Sequence, residues 1–124
     1  VLVGARGIGS DIDPFMVSGS RKNVGGGEFV QAACGALPFG DACIDAVVTD
    51  LPYGQSVSIV AGSLETLYDD ALLEMRRVLL PGKRAVVVTH RDISRQAAGI
   101  LSIRACYAQR VHKSLTRRIL VLER

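Results

Sequence analysis

One short stretch of the chain combines a carboxylate, a rigid turn and an aromatic ring, in the order Asp50, Leu51, Pro52 and Tyr53. Thr49 joins it to the apolar run Ile44–Val48, so a strand would deliver these groups at its carboxyl end, where open α/β sheets bind ligands. The Asp50 carboxylate and the Leu51 carbonyl can accept the two hydrogens of an amine, while Pro52 fixes the backbone and Tyr53 stacks on a ring. A Pro-containing turn with a packed tyrosine is the purely structural alternative. The order favours chemistry on a flat, amine-bearing ring.

A second carboxylate stands at the end of another predicted strand. Asp11 closes a short strand that begins near Arg6, and a carboxylate there can accept hydrogen bonds from both hydroxyls of a ribose. Asp13 directly precedes Pro14, a residue that suits the first turn of a helix. We therefore assign the helix cap to Asp13 and the ribose to Asp11.

Alternating strand and helix patterns must position these groups. The near-continuous apolar character of residues 44–50 is typical of a strand covered on both faces, which implies parallel neighbours. Apolar residues at helical spacing begin at Leu64, Ser63 is placed to cap that helix, and Pro81-Gly82 ends it. Predicted strands cover residues 6–11, 28–33, 44–50, 84–89, 103–111 and 116–122, and predicted helices residues 14–23, 64–79 and 92–99. This order predicts a doubly wound α/β sheet, mostly parallel, with a C-terminal antiparallel hairpin and one reversed strand at its edge.

The composition bounds the class of protein. With 124 residues, 48% of them hydrophobic and 22% charged, the chain is one domain or part of one. Cys34, Cys43 and Cys106 form no C-x-x-C pair and stand beside only two histidines, so neither a zinc cluster nor a disulfide framework is supported. The apolar runs are much shorter than the roughly 20 residues that span a bilayer, and the N-terminus lacks a secretory leader pattern. We expect a cytoplasmic protein with no metal and no membrane segment.

The basic residues are concentrated near the C-terminus. The formal net charge is +3, and Glu123 is the single acid from residue 104 onward. The basic side chains of that segment are Arg104, Arg110, His112, Lys113, Arg117, Arg118 and Arg124. Either a solvated face of terminal strands or a phosphate-contacting surface accounts for this pattern.

These motifs resemble those of class I S-adenosylmethionine-dependent methyltransferases. Residues 50–53 are similar to the (Asp/Asn/Ser)-Pro-Pro-(Tyr/Phe) motif of the enzymes that methylate exocyclic amines of bases. Within that class the chain is most similar to the tRNA guanosine N2-methyltransferases that carry an N-terminal THUMP domain, including the archaeal type acting on guanosine 10. The matching segments are residues 9–14, 21–23, 37–39, 49–54 and 79–83.

The resemblance implies a Rossmann-like fold, S-adenosyl-L-methionine as cofactor, tRNA as partner, and methylation of the N2 amine of a guanosine. It places Asp11 on the cofactor ribose and Ile12 against the adenine, and it counts Asp50 among the cofactor-binding residues. An N6-adenine methyltransferase of DNA or RNA is the alternative enzyme, because the same device suits either amine. Leu51 in place of the first proline favours the tRNA group. A catalytically silent module that binds RNA or a partner subunit is the alternative from another class.

The proposed chemistry requires an accessible base. A base inside a helix cannot present its amine to residues 50–53, so the nucleotide would be extruded or taken from a distorted stem. The loop Gln55–Gly62 is a candidate lid over that base.

Two departures from the family pattern are visible. Ala33 stands where these methyltransferases usually have an acid that hydrogen-bonds the adenine amino group. The glycines of Val1–Gly9 do not form the family's cofactor loop, because Asp11 follows almost at once, whereas such a loop precedes the ribose carboxylate by about 20 residues. We therefore expect residues 1–124 to be a partial methyltransferase catalytic domain, a C-terminal fragment whose first strand and glycine-rich loop belong to the missing N-terminal part of the parent chain.

A missing first strand has a physical consequence. That strand would lie between residues 6–11 and 44–50, so its absence leaves unpaired backbone groups and an apolar seam. We expect the isolated chain to be poorly stable or to self-associate, and to bind S-adenosylmethionine weakly or not at all.

Overall fold

The computed structural model describes residues 4–52 and 64–124. The chain divides into two compact units, Val1–Pro38 and Phe39–Arg124. Tyr53, the predicted cap Ser63 and the candidate lid Gln55–Gly62 lie outside the described residues.

The first unit places one helix beside two short parallel strands. β1 spans Ile8–Asp11, α1 spans Pro14–Asn23, and β2 spans Glu28–Gln31. β1 and β2 pair in parallel, as strands joined through a helix do. The bounds of α1 agree with the prediction, whereas both strands are shorter than the predicted 6–11 and 28–33.

The ends of α1 follow from local sequence. The Asp13 carboxylate accepts the backbone N–H of Phe15 at 2.9 Å, and Pro14 occupies the first helical turn, which confirms Asp13 as the helix cap. Arg21 and Lys22 lie in the last turn, where cations complement the helix dipole.

The second unit is a four-stranded mixed sheet with two helices. Its elements are β3 (Ile44–Asp50), α2 (Leu64–Val78), β4 (Leu79–Thr89), α3 (Ser94–Ala98), β5 (Ser102–His112) and β6 (Leu115–Glu123). The strand order is β3-β4-β6-β5, with β3 parallel to β4. The α/β class, the bounds of β3 and the antiparallel C-terminal hairpin are confirmed.

The sequence predicts the reversed strand at the edge of the sheet, but the structure places it inside the sheet. β6 is antiparallel to both of its neighbours, β4 and β5, and lies between them. The tight link at residues 113–114 makes β6 fold back on β5, and its other side then pairs with β4, from Arg84 opposite Glu123 to Thr89 opposite Arg118. β5 is therefore the edge strand and runs parallel to β4.

β4 also begins earlier than the predicted residue 84. Leu79 already pairs with Ile44, and the register shifts before β4 continues along β3. Gly82 has φ +78 and donates its N–H to the Arg124 carbonyl at 3.0 Å. The turn after α2 is thus absorbed into the strand because the sheet supplies partners for its backbone groups.

The core of the second unit lies between α2 and one face of the sheet. The buried side chains of α2 are Leu64, Tyr68, Ala71, Leu72, Met75 and Val78. The sheet contributes Ala85, Val87, Leu120 and Leu122, each at most 1% exposed. Full burial of one large aliphatic side chain contributes about 1.5–3 kcal/mol, so the predicted apolar stripe of α2 is confirmed as core. No helix among the described residues is long and apolar enough to cross a membrane.

The prediction that β3 is covered on both faces is wrong. Val48 is 79% exposed and lies opposite Val86, which is half-buried. The helices of this unit cover the opposite face, where Val87 is fully buried. Among the described residues β3 pairs with β4 alone and β1 with β2 alone, so one ladder edge of each strand is open.

Arg77 ties the segment before β3 to the end of α2. Its guanidinium donates to the Glu74 carboxylate at 2.5 and 2.9 Å, to Asp41 at 2.8 Å and to the Phe39 carbonyl at 2.8 Å. The hydrogen bonds from Glu74 and then Asp41 raise the pKa of Arg77 above its ordinary value. The N–H of Ala42 donates to the Arg77 carbonyl at 2.8 Å, so backbone and side chain together fix where β3 starts.

Replacing the cap of α1 tests the local account of this helix. We expect Asp13→Ala to destabilise α1 by about 1 kcal/mol, because the Phe15 N–H loses its acceptor. Amide hydrogen exchange in α1 should then be roughly fivefold faster. Asp13→Asn is the matched control, since asparagine caps as well as aspartate. Equal exchange in Asp13→Ala and the unmodified chain would contradict the capping role.

Candidate active site

Residues 50–52, here called the clamp turn, leave the sheet at the carboxyl end of β3. Asp50 is the last residue of β3 and lies opposite Val88 of β4. The N–H of Leu51 donates to the Val88 carbonyl at 2.9 Å, and the Leu51 side chain is 2% exposed. Asp50 itself is exposed. The buried leucine and the ladder hydrogen bond therefore hold an exposed carboxylate at the sheet edge, where the sequence predicted it.

Tyr68 of α2 fixes the next residue of the clamp turn. Its hydroxyl donates to the Pro52 carbonyl at 2.6 Å, and its side chain is 1% exposed. Burial raises the pKa of Tyr68, and the nearby Arg91 partly opposes that shift. A neutral buried phenol is a dependable hydrogen-bond donor. The helical spacing of apolar residues predicts only that Tyr68 lies in the buried stripe of α2, although a tyrosine within an otherwise aliphatic stripe signals a polar partner at its tip.

The end of β4 adds a hydrogen-bonded turn beside the clamp turn. The hydroxyl of the fully buried Thr89 donates to the Arg91 carbonyl at 2.6 Å. The Asp92 carboxylate accepts the Ser94 hydroxyl at 2.6 Å and the Ser94 N–H at 3.0 Å. These bonds lower the pKa of Asp92, with a smaller contribution from Arg118. Arg118 on β6 and Arg91 on the turn after β4 thus lie at this end of the sheet.

The clamp turn presents acceptors in a fixed arrangement. The Leu51 N–H is used in the ladder with Val88, and the Pro52 carbonyl is used by Tyr68. Among the described residues, no hydrogen bond or ion pair is found for the Asp50 carboxylate. Such an arrangement is suited to receiving donors from a bound molecule, because unshared acceptors on a rigid turn need no reorganisation.

The predicted ribose site lies in the first unit. The Asp11 carboxylate accepts the N–H of Asp13 at 2.9 Å, which orients it, and the side chain is exposed. Ile12 is 64% exposed, and its carbonyl accepts the Gln31 side-chain amide at 3.1 Å. An oriented carboxylate can accept hydrogen bonds from the hydroxyls of a ribose, and the accessible apolar side chain next to it can pack against a flat base. A cavity of about 110 Å³ beside them is lined by Gly9, Ser10, Asp11, Val17, Ser20 and Phe29.

Gly9 serves packing in this unit. A Cβ at Gly9 would stand 2.6 Å from the Phe29 ring, so only glycine allows the ring to lie against β1. The position is part of β1 and not of a loop before a helix. This agrees with the inference that the N-terminal glycines are not a nucleotide-binding loop.

Ala33 follows β2 and has no side-chain hydrogen-bonding group. Its carbonyl accepts the N–H of Ala36 at 3.0 Å in a tight turn.

Within residues 4–52 and 64–124, no group of three or more His, Cys, Asp or Glu side chains is arranged to hold a metal ion.

Comparison with known proteins identifies the family. Residues 3–119 match the model of the UPF0020 family, described as RMKL-like, methyltransferase domain. The chain is 35% identical over 130 residues to the tRNA (guanine(10)-N2)-dimethyltransferase of Methanothermobacter thermautotrophicus. That alignment covers 99% of this chain and 38% of the relative, so the chain spans well under half of the relative's length.

Solved structures share the fold at low sequence identity. A protein from Pyrococcus horikoshii has a TM-score of 0.78 at 16% identity, over 98% of this chain and 72% of that one. TrmN from Thermus thermophilus has a TM-score of 0.73 at 20% identity, over 94% of this chain and 35% of that one. A TehB-like SAM-dependent methyltransferase from Corynebacterium glutamicum has a TM-score of 0.68 at 17% identity, over 94% and 66%. The fold is thus that of class I methyltransferases, and since the family model spans nearly the whole sequence, the chain belongs to the UPF0020 family of RMKL-like methyltransferase domains.

Proposed function

We propose that this chain carries the amine-methylating site of an S-adenosylmethionine-dependent tRNA guanine-N2 methyltransferase. The observation that carries the proposal is the clamp turn, whose exposed Asp50 carboxylate is held by the Leu51–Val88 and Tyr68–Pro52 hydrogen bonds. The relative that is 35% identical bears the name of a guanine-N2 dimethyltransferase of tRNA. Because the chain spans 38% of that relative, the substrate is part of the proposal.

The clamp turn would act on the geometry of the amine. The N2 lone pair of guanine is conjugated into the ring, and it becomes nucleophilic as the nitrogen approaches a tetrahedral shape. The Asp50 carboxylate would accept one N2 hydrogen and the Leu51 carbonyl the other, which directs the lone pair away from the ring plane. Pro52 restricts the backbone, and Tyr53 would stack on the base. Positioning supplies much of the rate enhancement in such a transfer.

The proposed cofactor contacts involve the residues that the sequence assigns to the ribose, the adenine and the methyl group. S-adenosylmethionine, when bound, supplies an electrophilic methyl group on a sulfonium. Asp11 would hold the ribose hydroxyls, Ile12 would lie against the adenine, and Asp50 would lie beside the transferred methyl. The orientation of Asp11 by the Asp13 N–H and the exposure of Ile12 support these roles. With Ala33 in place of the family's acid, selectivity for the adenine amino group would come from backbone groups or be weaker.

We also propose a compartment and an association state for the chain. The cytoplasm is the proposed compartment, supported by the absence of any disulfide among the three cysteines. The open ladder edges of β1 and β3 and the 79% exposure of Val48 support self-association of the isolated chain. Ala33 and the missing glycine-rich loop are the features that favour the silent module, whereas the name of the 35% identical relative favours guanine N2 over the N6-adenine alternative.

Removal of the Asp50 carboxylate tests the clamp. In the protein as its gene encodes it, we expect Asp50→Ala to lower kcat for methyl transfer to tRNA by at least about a hundredfold, the scale for losing one transition-state contact. Binding of tRNA should change little. Asp45→Ala is the matched control, because Asp45 is an exposed aspartate of the same strand. Methyl transfer from labelled cofactor at the unmodified rate in Asp50→Ala would refute the assignment.

The ribose contact is tested by titrating the cofactor. We expect Asp11→Ala to weaken S-adenosylmethionine binding about tenfold or more, since charge-assisted hydrogen bonds contribute about 1.5–3 kcal/mol. Isothermal titration calorimetry on the gene-encoded protein measures the change, and Asp13→Asn, which keeps the cap of α1, is the control. An unchanged dissociation constant for Asp11→Ala would place the ribose elsewhere.

Tyr68 is tested as a positioning residue. We expect Tyr68→Phe to lower kcat about tenfold or more while KM for tRNA stays nearly constant, because a loosened clamp turn misplaces the amine acceptors. Loss of this buried hydrogen bond should reduce the free energy of unfolding by about 1 kcal/mol. Tyr107→Phe removes the same hydroxyl from an exposed position and serves as control. A stability loss without any change in kcat would show that Tyr68 is structural only.

A further inference from the structure

The C-terminal hairpin extends beyond the rest of the sheet. β5 and β6 pair as far as His112 opposite Leu115, whereas the pairing of β6 with β4 stops at Thr89 opposite Arg118. Residues 109–117, here called the hairpin arm, therefore form a two-stranded ribbon that projects past β4. Except for half-buried side chains at residues 115–117, the arm is exposed.

The arm is positively charged without internal neutralisation. Arg110, Lys113 and Arg117 lie on it, and no acidic residue occurs between positions 105 and 122. Arg104, further down the hairpin, pairs with Glu123. Among the described residues no ion pair is found for the three cations of the arm. Unpaired cations on a narrow projection favour an anionic partner.

Two arginines at the base of the arm have unsatisfied donors. The Nε atoms of Arg117 and Arg118 are buried, and neither has a hydrogen-bond partner among the described residues. A buried donor without an acceptor costs free energy, and an ionised acceptor is its strongest partner. Phosphate oxygens match guanidinium donors in geometry and in charge. The guanidinium groups of these two arginines are therefore suited to phosphate, although their buried Nε atoms are not themselves accessible to it.

The base of the arm lies at the same sheet edge as the clamp turn. Asp50 is opposite Val88, and Val88 is opposite Ile119, so Arg118 follows directly at that end of β6. β6 is two strand spacings from β3, or about 10 Å. A polynucleotide whose base is held at Asp50 would therefore pass its backbone near the arm.

We propose that the hairpin arm binds the RNA phosphate backbone beside the nucleotide held by the clamp turn. The inference rests on the proposed function, because RNA is the substrate assumed there. The arm recognises the charge and spacing of the phosphates and does not distinguish one base from another. Its three cations, Arg110, Lys113 and Arg117, form a sequence-independent contact that holds the substrate against the site.

The test removes the charges of the arm in the gene-encoded protein. We expect the variant Arg110→Gln/Lys113→Gln/Arg117→Gln to bind a tRNA transcript about tenfold or more weakly at low salt. The slope of log K against log salt should fall in magnitude by about 2 to 3, one unit for each lost phosphate contact. Fluorescence anisotropy titrations at several salt concentrations measure both quantities, and circular dichroism checks that the variant is folded.

Lys83→Gln is the matched control, because Lys83 is an exposed cation in the half of β4 that lies away from the arm. It should leave affinity and salt slope nearly unchanged. A folded triple variant with the affinity and salt slope of the unmodified protein would overturn the proposal. So would an equal loss in Lys83→Gln, which would indicate a general effect of net charge.

Methyl transfer from labelled cofactor separates this proposal from the proposed function. If the unmodified protein methylates tRNA but the triple variant binds as before, the arm proposal fails and the function stands. If the unmodified protein methylates no RNA while the triple variant still loses affinity and salt slope, the function fails and the arm stands.

Discussion

The hydrogen bond from Tyr68 to the Pro52 carbonyl is the interaction on which the candidate site depends. It joins the most buried part of α2 to the turn that leaves β3. On the other side of the same turn, Leu51 is held by the Val88 carbonyl and by its own burial. With both ends fixed, the exposed Asp50 carboxylate has little freedom. A rigid acceptor is more useful for orienting an amine than a mobile one, because no ordering is needed when the substrate binds.

The parallel pairing of β3 with β4 brings several functional groups to one edge. Parallel strands end on the same side of a sheet, so the clamp turn stands next to the turn stabilised by Thr89 and Asp92. The reversed direction of β6 then places the start of that strand, with Arg117 and Arg118, at the same edge. These two topological features, the parallel β3–β4 pair and the reversed strand beside β4, together bring a carboxylate and two arginines to the same end of the sheet.

The exposure of the β3 face follows from which helices are present. The helices of the second unit cover one face of the sheet, and Val48 on the other face stays exposed. Exposed aliphatic side chains on a strand with an open ladder edge are unusual in a finished domain, because both features favour association. The chain also spans 38% of its archaeal relative. Within the part of the chain that the structure describes, the Val48 side chain and one ladder edge of β3 are open to further contacts.

The sequence by itself determined the parts of the structure that local physics controls. The cap at Asp13, the bounds of α1 and β3, the apolar stripe of α2 and the C-terminal hairpin follow from capping, periodicity and turn chemistry, which act within a few residues. The position of Asp50 at a strand end was readable for the same reason. Tertiary structure alone decided three things: that β6 lies inside the sheet, that one face of β3 is uncovered, and that Tyr68 reaches Pro52. Each depends on contacts between residues far apart in the chain. The hydrophobic pattern indicates how apolar a strand is, but only tertiary packing decides which face of the strand is covered.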